Sequence, residues 1–183
     1  MECATEGHAE FAGRWTNMGH TWTSAVEICK ASCTVGGRAP QVVVSIRDPY
    51  HYWRSAFTYA WVGAYSAVAI PSGVHDFDGF MRWAHLHPEH SQSRQIARAC
   101  GRPCKHDFLL HTERLVDDWL SLLSALEMPL VRLPRINPTR TDARAVPPTV
   151  FTAEIVQIID DLEGTMFTEF GYRRRADVPF AIE

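Results

Sequence analysis

The amino-acid sequence predicts an α/β layer fold with a parallel sheet, and three observations carry that expectation. The run Gln41-Val-Val-Val-Ser-Ile46 is apolar, β-branched and bounded by Pro40 and Pro49, the signature of a central strand enclosed on both faces. A second short apolar run, Asp107-Phe-Leu-Leu-His111, reads as another strand. Between and after these runs, apolar residues recur at helical spacing. Strands separated by helices imply a parallel sheet with helices on both faces, and ligands of such sheets collect at the carboxyl ends of the strands.

The elements follow in chain order. A polar loop holding Asn17, Gly19 and His20 leads to a helix starting near Thr23, where a cap-like Thr or Ser precedes Glu27. After the strand and the Arg47-Asp48-Pro49 turn, Tyr50 to about Tyr65 reads as a helix. Phe77, Phe80, Met81, Trp83 and Ala84 mark an amphipathic helix that ends near Pro88. The strand at 107–111 runs into a helix whose apolar side carries Leu115, Val116, Trp119, Leu122, Leu123 and Leu126. The last helix begins near Thr152. Its stripe of Ile155, Ile158, Ile159, Leu162, Met166, Phe167 and Phe170 runs on until Gly171, its natural stop.

Composition narrows the class. The 183 residues are 46% hydrophobic with a formal net charge of −3, which suits one globular domain spanning residues 1–183 and excludes a disordered chain. There is no surplus of base, so a general nucleic-acid binder is not expected. Of 18 cations only Lys30 and Lys105 are lysines, so the remaining sixteen are arginines, the fork-shaped partners of phosphate and carboxylate. Residues 55–74 lack formal charge, but their serines, tyrosines and Pro71 favour a buried helix over a membrane span. No secretory signal is readable at Met1 to Glu10, and the compartment stays open.

The chemistry concentrates at Arg47-Asp48-Pro49-Tyr-His-Tyr-Trp-Arg-Ser55. A buried strand delivers an arginine at its tip, proline ends the strand, and Ser55 falls in the first turns of the next helix. One guanidinium and one hydroxyl can then converge on a single phosphate, aided by a helix N-terminus. The plainer reading is a strand-to-helix turn in which Arg47 pairs with a carboxylate.

This segment resembles the 3′-phosphate-binding element, R-D-P-x-x-x-x-x-S, of sulfotransferases that use 3′-phosphoadenosine 5′-phosphosulfate (PAPS). Further motifs are similar to the carbohydrate-type branch of that family. Phe77 to Trp83 resembles F-x-x-F-x-x-W, and Ser91-Gln92-Ser93 resembles P-Q-S. Asp107-Phe108 with Glu113, Leu115 and Asp118 resembles D-F-I-G-x-x-E-x-L-x-x-D. Leu133 to Asn137 resembles L-P-x-x-N, and Phe167 to Tyr172 resembles F-x-x-F-G-Y. The likeness covers about residues 40 to 175. It implies a P-loop NTPase-like sulfotransferase fold, with a central parallel sheet flanked by helices, and PAPS as co-substrate with no metal. It further implies a carbohydrate hydroxyl as acceptor; relatives are often Golgi-lumenal, while this sequence leaves the compartment open. In the family the arginine and serine hold the 3′-phosphate, which maps these roles onto Arg47 and Ser55.

The family's 5′-phosphosulfate loop, P-K-x-G-T-T or P-K-T-G-G-T, has no full counterpart. Thr16-Asn17-Met18-Gly19-His20-Thr21-Trp22 aligns with K-S-G-T-T-W if Asn17 replaces the lysine, placing Gly19 and Thr21 at the nucleotide. An asparagine donates a hydrogen bond but no charge, a loss typically of a few kcal/mol in transition-state stabilisation. Three readings stand together: a diverged working loop, an authentic loop lying before the first residue, or a nucleotide-binding relative that does not catalyse. For an active enzyme, His20 is the first candidate for the general base; His51 is another histidine near the arginine turn. A P-loop phosphotransferase is disfavoured, because no G-x-x-x-x-G-K-[ST] is present.

Two clusters compete for attention. His85, His87 and His90, near Asp76 and Asp78, invite a metal, but their i, i+2 spacing does not share a helical face, and a solvated helix end is expected. Cys100-Gly-Arg-Pro-Cys104 can close a small disulfide loop, while thiols fit the sequence equally; Cys29 and Cys33 share a helical face, and the C-x-x-C spacing typical of zinc is missing.

Overall fold

The computed structural model of the protein describes residues 42–61, 72–100, 103–133 and 146–175, together with the strand at 180–181. The helix expected near Thr23, the loop with Gly19, His20 and Thr21, and Pro134 to Asn137 lie outside the described residues.

Strand β1 (Val43–Ile46) runs into helix α1 (Pro49–Trp61), followed by α2 (Phe77–Leu86), a short 3-10 turn (Pro88–His90) and α3 (Gln92–Cys100). Strand β2 (Phe108–His111) comes next, then a 3-10 turn (Thr112–Arg114) and α4 (Leu115–Ala125). The described chain closes with β3 (Val150–Phe151), α5 (Ala153–Leu162), α6 (Gly164–Thr168) and β4 (Phe180–Ala181). Strands β1 and β2 pair in parallel, Val43 opposite Phe108 and Ile46 opposite His111. A parallel pair needs a crossover, and α1, α2 and α3 supply it. The protein is thus a mixed helix and strand fold with parallel pairing, as an α/β reading requires.

Several expectations need correction. Among the described residues the parallel sheet has two strands, and β1 is not enclosed on both faces: Ile46 is buried, but Val43 is 41% exposed. A β-branched run therefore marked the strand without fixing its burial. An antiparallel pair, β3 with β4, was not foreseen because two-residue strands leave no periodicity. Helix α3 also went unread, since its polar residues Gln92, Ser93, Arg94 and Gln95 hide a face carried by Ile96 and Cys100. Cys100 and Cys104 form a disulfide with Cα atoms 5.0 Å apart. No described helix is long and apolar enough to cross a membrane.

Two cores hold these elements. In the larger, Tyr50, Trp53 and Phe57 of α1 meet Phe77, Phe80 and Met81 of α2 and Ile155 and Ile159 of α5. These side chains are essentially water-free, and each large one contributes on the order of 1.5–3 kcal/mol. The smaller core lies beneath the sheet and joins Ile46 to Ile96, Cys100, Met166 and Phe170.

The expected long C-terminal helix is two helices. Thr152 caps α5 by accepting the Ile155 N–H at 3.3 Å, as its position implies. At Glu163 the backbone leaves the helical region (φ −111°, ψ 25°), α6 starts afresh, and the chain then stops at Gly171 with φ 74°. That positive φ is where glycine avoids the Cβ penalty. The apolar stripe survives the break, with Ile155, Ile158, Ile159, Leu162, Met166 and Phe170 all buried.

Candidate functional site

The site is built around the turn that joins β1 to α1. Asp48 begins the helix: its Oδ1 accepts the N–H groups of Tyr50 and His51, both at 3.0 Å, while Pro49 occupies the first helical position, where no N–H is missed. Arg47 is gripped through its main chain. The Gln92 side chain accepts the Arg47 N–H at 2.8 Å and donates to the Arg47 carbonyl at 2.8 Å, so one amide satisfies both backbone groups. Next along the chain, the Asp48 N–H donates to Glu113 Oε1 at 2.6 Å.

Glu113 is itself held. The Tyr172 hydroxyl donates to its Oε2 at 3.0 Å. Burial alone would raise the Glu113 carboxyl, but hydrogen bonds from the Asp48 and Glu113 main chain and from Tyr172 and Thr112 hold it below the usual carboxylate range. Burial, and then the adjacent Glu113 charge, push the Tyr172 phenol far above its ordinary value, so it stays a donor. At the end of β2, Asp118 accepts from the His111 main-chain N–H at 2.7 Å and bonds the His111 ring at 2.8 Å. These bonds and the Arg114 charge outweigh burial and keep Asp118 acidic. Gln92, Glu113, Asp118 and Tyr172 come from separate segments, and they converge on the carboxyl ends of the two parallel strands.

With its main chain pinned, Arg47 borders a cavity. Arg47 and Ser55 both line this space of about 170 Å³, with Tyr52, Tyr59, Trp83 and His90 among the other walls. Among the described residues no carboxylate lines the cavity and none pairs with the Arg47 guanidinium. A permanent cation and hydroxyls without a competing acid suit an anion. At ~30 Å³ per liquid water the space holds an anionic head group. It falls short of the ~300–1,000 Å³ of a pocket for a whole ligand.

The remaining sites named from sequence divide cleanly. His20, Gly19 and Thr21 lie outside the described residues. His51 sits in the first turn of α1, half-buried. His90 borders the cavity, and burial lowers its pKa, so its ring is neutral near pH 7. His87 stacks on Trp83 with ring centres 4.7 Å apart and its Nδ1 2.9 Å from the Trp83 carbonyl. Among the described residues no cluster of three or more His, Cys, Asp or Glu is placed to hold a metal ion.

Sequence reasoning missed Tyr52, Gln95 and Glu163. Tyr52 donates its hydroxyl to the His90 carbonyl at 2.8 Å and accepts from Gln95 Nε2 at 3.0 Å, bracing one cavity wall. Glu163 offered a readable signal, as a charged residue set directly into an apolar helical stripe. No protein-family model, no curated protein and no solved structure matches this chain.

Proposed function

We propose that this chain is a PAPS-dependent sulfotransferase domain of P-loop NTPase-like fold, which moves a sulfuryl group to a hydroxyl acceptor, with a carbohydrate as the acceptor class. What carries the reading is one observation: Arg47 and Ser55 line the same cavity at the end of a parallel strand, with no carboxylate among its described walls. In this role the guanidinium and hydroxyl bind the nucleotide's 3′-phosphate. Gln92 and Glu113 fix the backbone that presents them. The acceptor oxygen then attacks sulfur in line as the S–O bond to 3′-phosphoadenosine 5′-phosphate breaks, and a general base, for which His20 is the candidate, takes the acceptor proton. Gly19 and Thr21 are assigned to the 5′ end of the nucleotide.

Asn17, standing where the resembling loop carries lysine, favours a second reading in which the domain binds the nucleotide without transferring sulfate. Calorimetry with adenosine 3′,5′-bisphosphate against ATP, followed by sulfate transfer from PAPS to a panel of sugar acceptors, tests both. Preference for the 3′-phosphorylated nucleotide with transfer supports the enzyme. The same preference without transfer supports the silent module, and preference for ATP rejects both. A His20→Ala chain that keeps full turnover removes His20 from the mechanism.

A further inference from the structure

Among the described residues one acidic side chain is wholly enclosed: Glu163, 0% exposed, at the break between α5 and α6. Its two carboxylate oxygens accept the first N–H groups of α3, Gln92 at 2.9 Å and Ser93 at 2.8 Å. From α1 the Trp53 indole N–H faces it, and from α3 the Ser93 hydroxyl. Neither of these reaches full hydrogen-bond geometry. The largest influences on this carboxylate are its burial and these N–H and O–H groups, and among the described residues no cation pairs with it. An enclosed carboxylate compensated only by amides and polar hydrogens is a costly device for stability alone. Part of its role is capping: Ser91 Oγ accepts only the Arg94 N–H at 3.3 Å, and Glu163 takes the two N–H groups before it, but a neutral side chain could accept those as well.

What the carboxylate holds is Gln92. That residue gives its main-chain N–H to Glu163 and uses its side chain to clamp both sides of the Arg47 main chain. Three remote parts of the chain are thereby linked in series, from the α5–α6 break through the start of α3 to the tip of β1. We infer that Glu163 is a positioning residue for the Arg47 anion grip, its ionised carboxylate fixing Gln92 on the Arg47 backbone and its protonation loosening that clamp and weakening anion binding. This rests on the proposed role of Arg47 and Ser55 in holding a ribose-linked phosphate. Burial pushes the Glu163 carboxyl up to about 7 against the opposing pull of the Ser93 and Gln92 N–H groups. The change of charge therefore falls in the neutral range. His90 and the nucleotide's own phosphate also titrate below neutrality, so the comparison must be between proteins at one pH.

The test uses the full chain in two measurements. The first follows the ¹⁵N-labelled Arg47 amide, without ligand, through a titration from about pH 5.5 to 8.5. The second is calorimetry of adenosine 3′,5′-bisphosphate binding to the native protein and to Glu163→Gln at each pH. The Arg47 resonance is expected to move with a midpoint near 7 in the native protein and to stay flat through that range in the variant. Nucleotide affinity at about pH 8 is expected to be roughly tenfold weaker in the variant, a gap that closes toward pH 6. An Arg47 amide that does not move in the native protein overturns the inference, as does equal nucleotide affinity of the two proteins throughout. If the amide titrates but neither protein binds the nucleotide, the anion-site reading fails while the link from Glu163 to Arg47 stands. The native titration needs no variant, so a poorly folded Glu163→Gln leaves the first measurement decisive.

Discussion

Arg47 has two engagements: Gln92 grips its main chain, and the residue borders the cavity. The planar fork matters as well as the charge, since it can meet two phosphate oxygens at once. Arg47→Ala should therefore weaken adenosine 3′,5′-bisphosphate binding by about a hundredfold, and Arg47→Lys should recover only part of the loss. Ser55→Ala, losing one hydrogen bond to an anion, should cost roughly tenfold. Equal calorimetric affinity of all three variants and the native chain would remove the site. Glu163 makes a separate prediction about stability. Its carboxyl titrates at 4.5 ordinarily and at about 7 when folded, so across that window the folded chain binds the extra proton. Its contribution is most favourable below the unfolded value and is lost as pH rises through the folded one. Relative to Glu163→Gln, the native protein should lose up to roughly 3 kcal/mol between those limits, read from urea midpoints at each pH. A difference that does not vary with pH would show the carboxyl to be ordinary.

Among the elements, periodicity located helices well and judged their burial unevenly. Helix α2 places Phe77, Phe80, Met81 and Ala84 in the core, the face its spacing announced. Helix α4 does not follow suit. Of its apolar residues only Leu122 and Leu123 are buried, and Val116 is 60% exposed, because the helix meets the rest of the described protein along one narrow side near β2. Leu123→Ala should then cost about 2–5 kcal/mol. Val116→Ala should stay within about 0.5 kcal/mol. Chemical denaturation distinguishes them, and equal losses would place both residues in a core. The α5–α6 break escaped periodicity for a physical reason: a stripe records which residues are apolar, whereas the kink arises because Glu163 turns inward to the N–H groups of α3, a partner seventy positions away in the chain.

At the scale of the whole molecule, contacts between distant segments tie the pieces together, and the Cys100–Cys104 disulfide adds a local staple. So short a closed loop removes little unfolded-state entropy, and replacing both cysteines by serine should cost about 2 kcal/mol with an unchanged denaturant slope. A stability unaffected by reductant would contradict the bond's contribution. Strands β1 and β2, helices α1, α2 and α4, the helix start at Thr152 and the stop at Gly171 were legible from residue order, because each depends on interactions within a few positions. So was the placement of Arg47 at the strand tip and Ser55 in the following helix, since these are neighbours along the chain. Which side chains would brace that pair was not legible. The grip of Gln92 on Arg47, the bond from Glu113 to Asp48 and the enclosure of Glu163 join residues 45, 65 and 70 or more positions apart. Local preference carries no record of such separations; only packing the segments around common cores brings the donors and acceptors within reach.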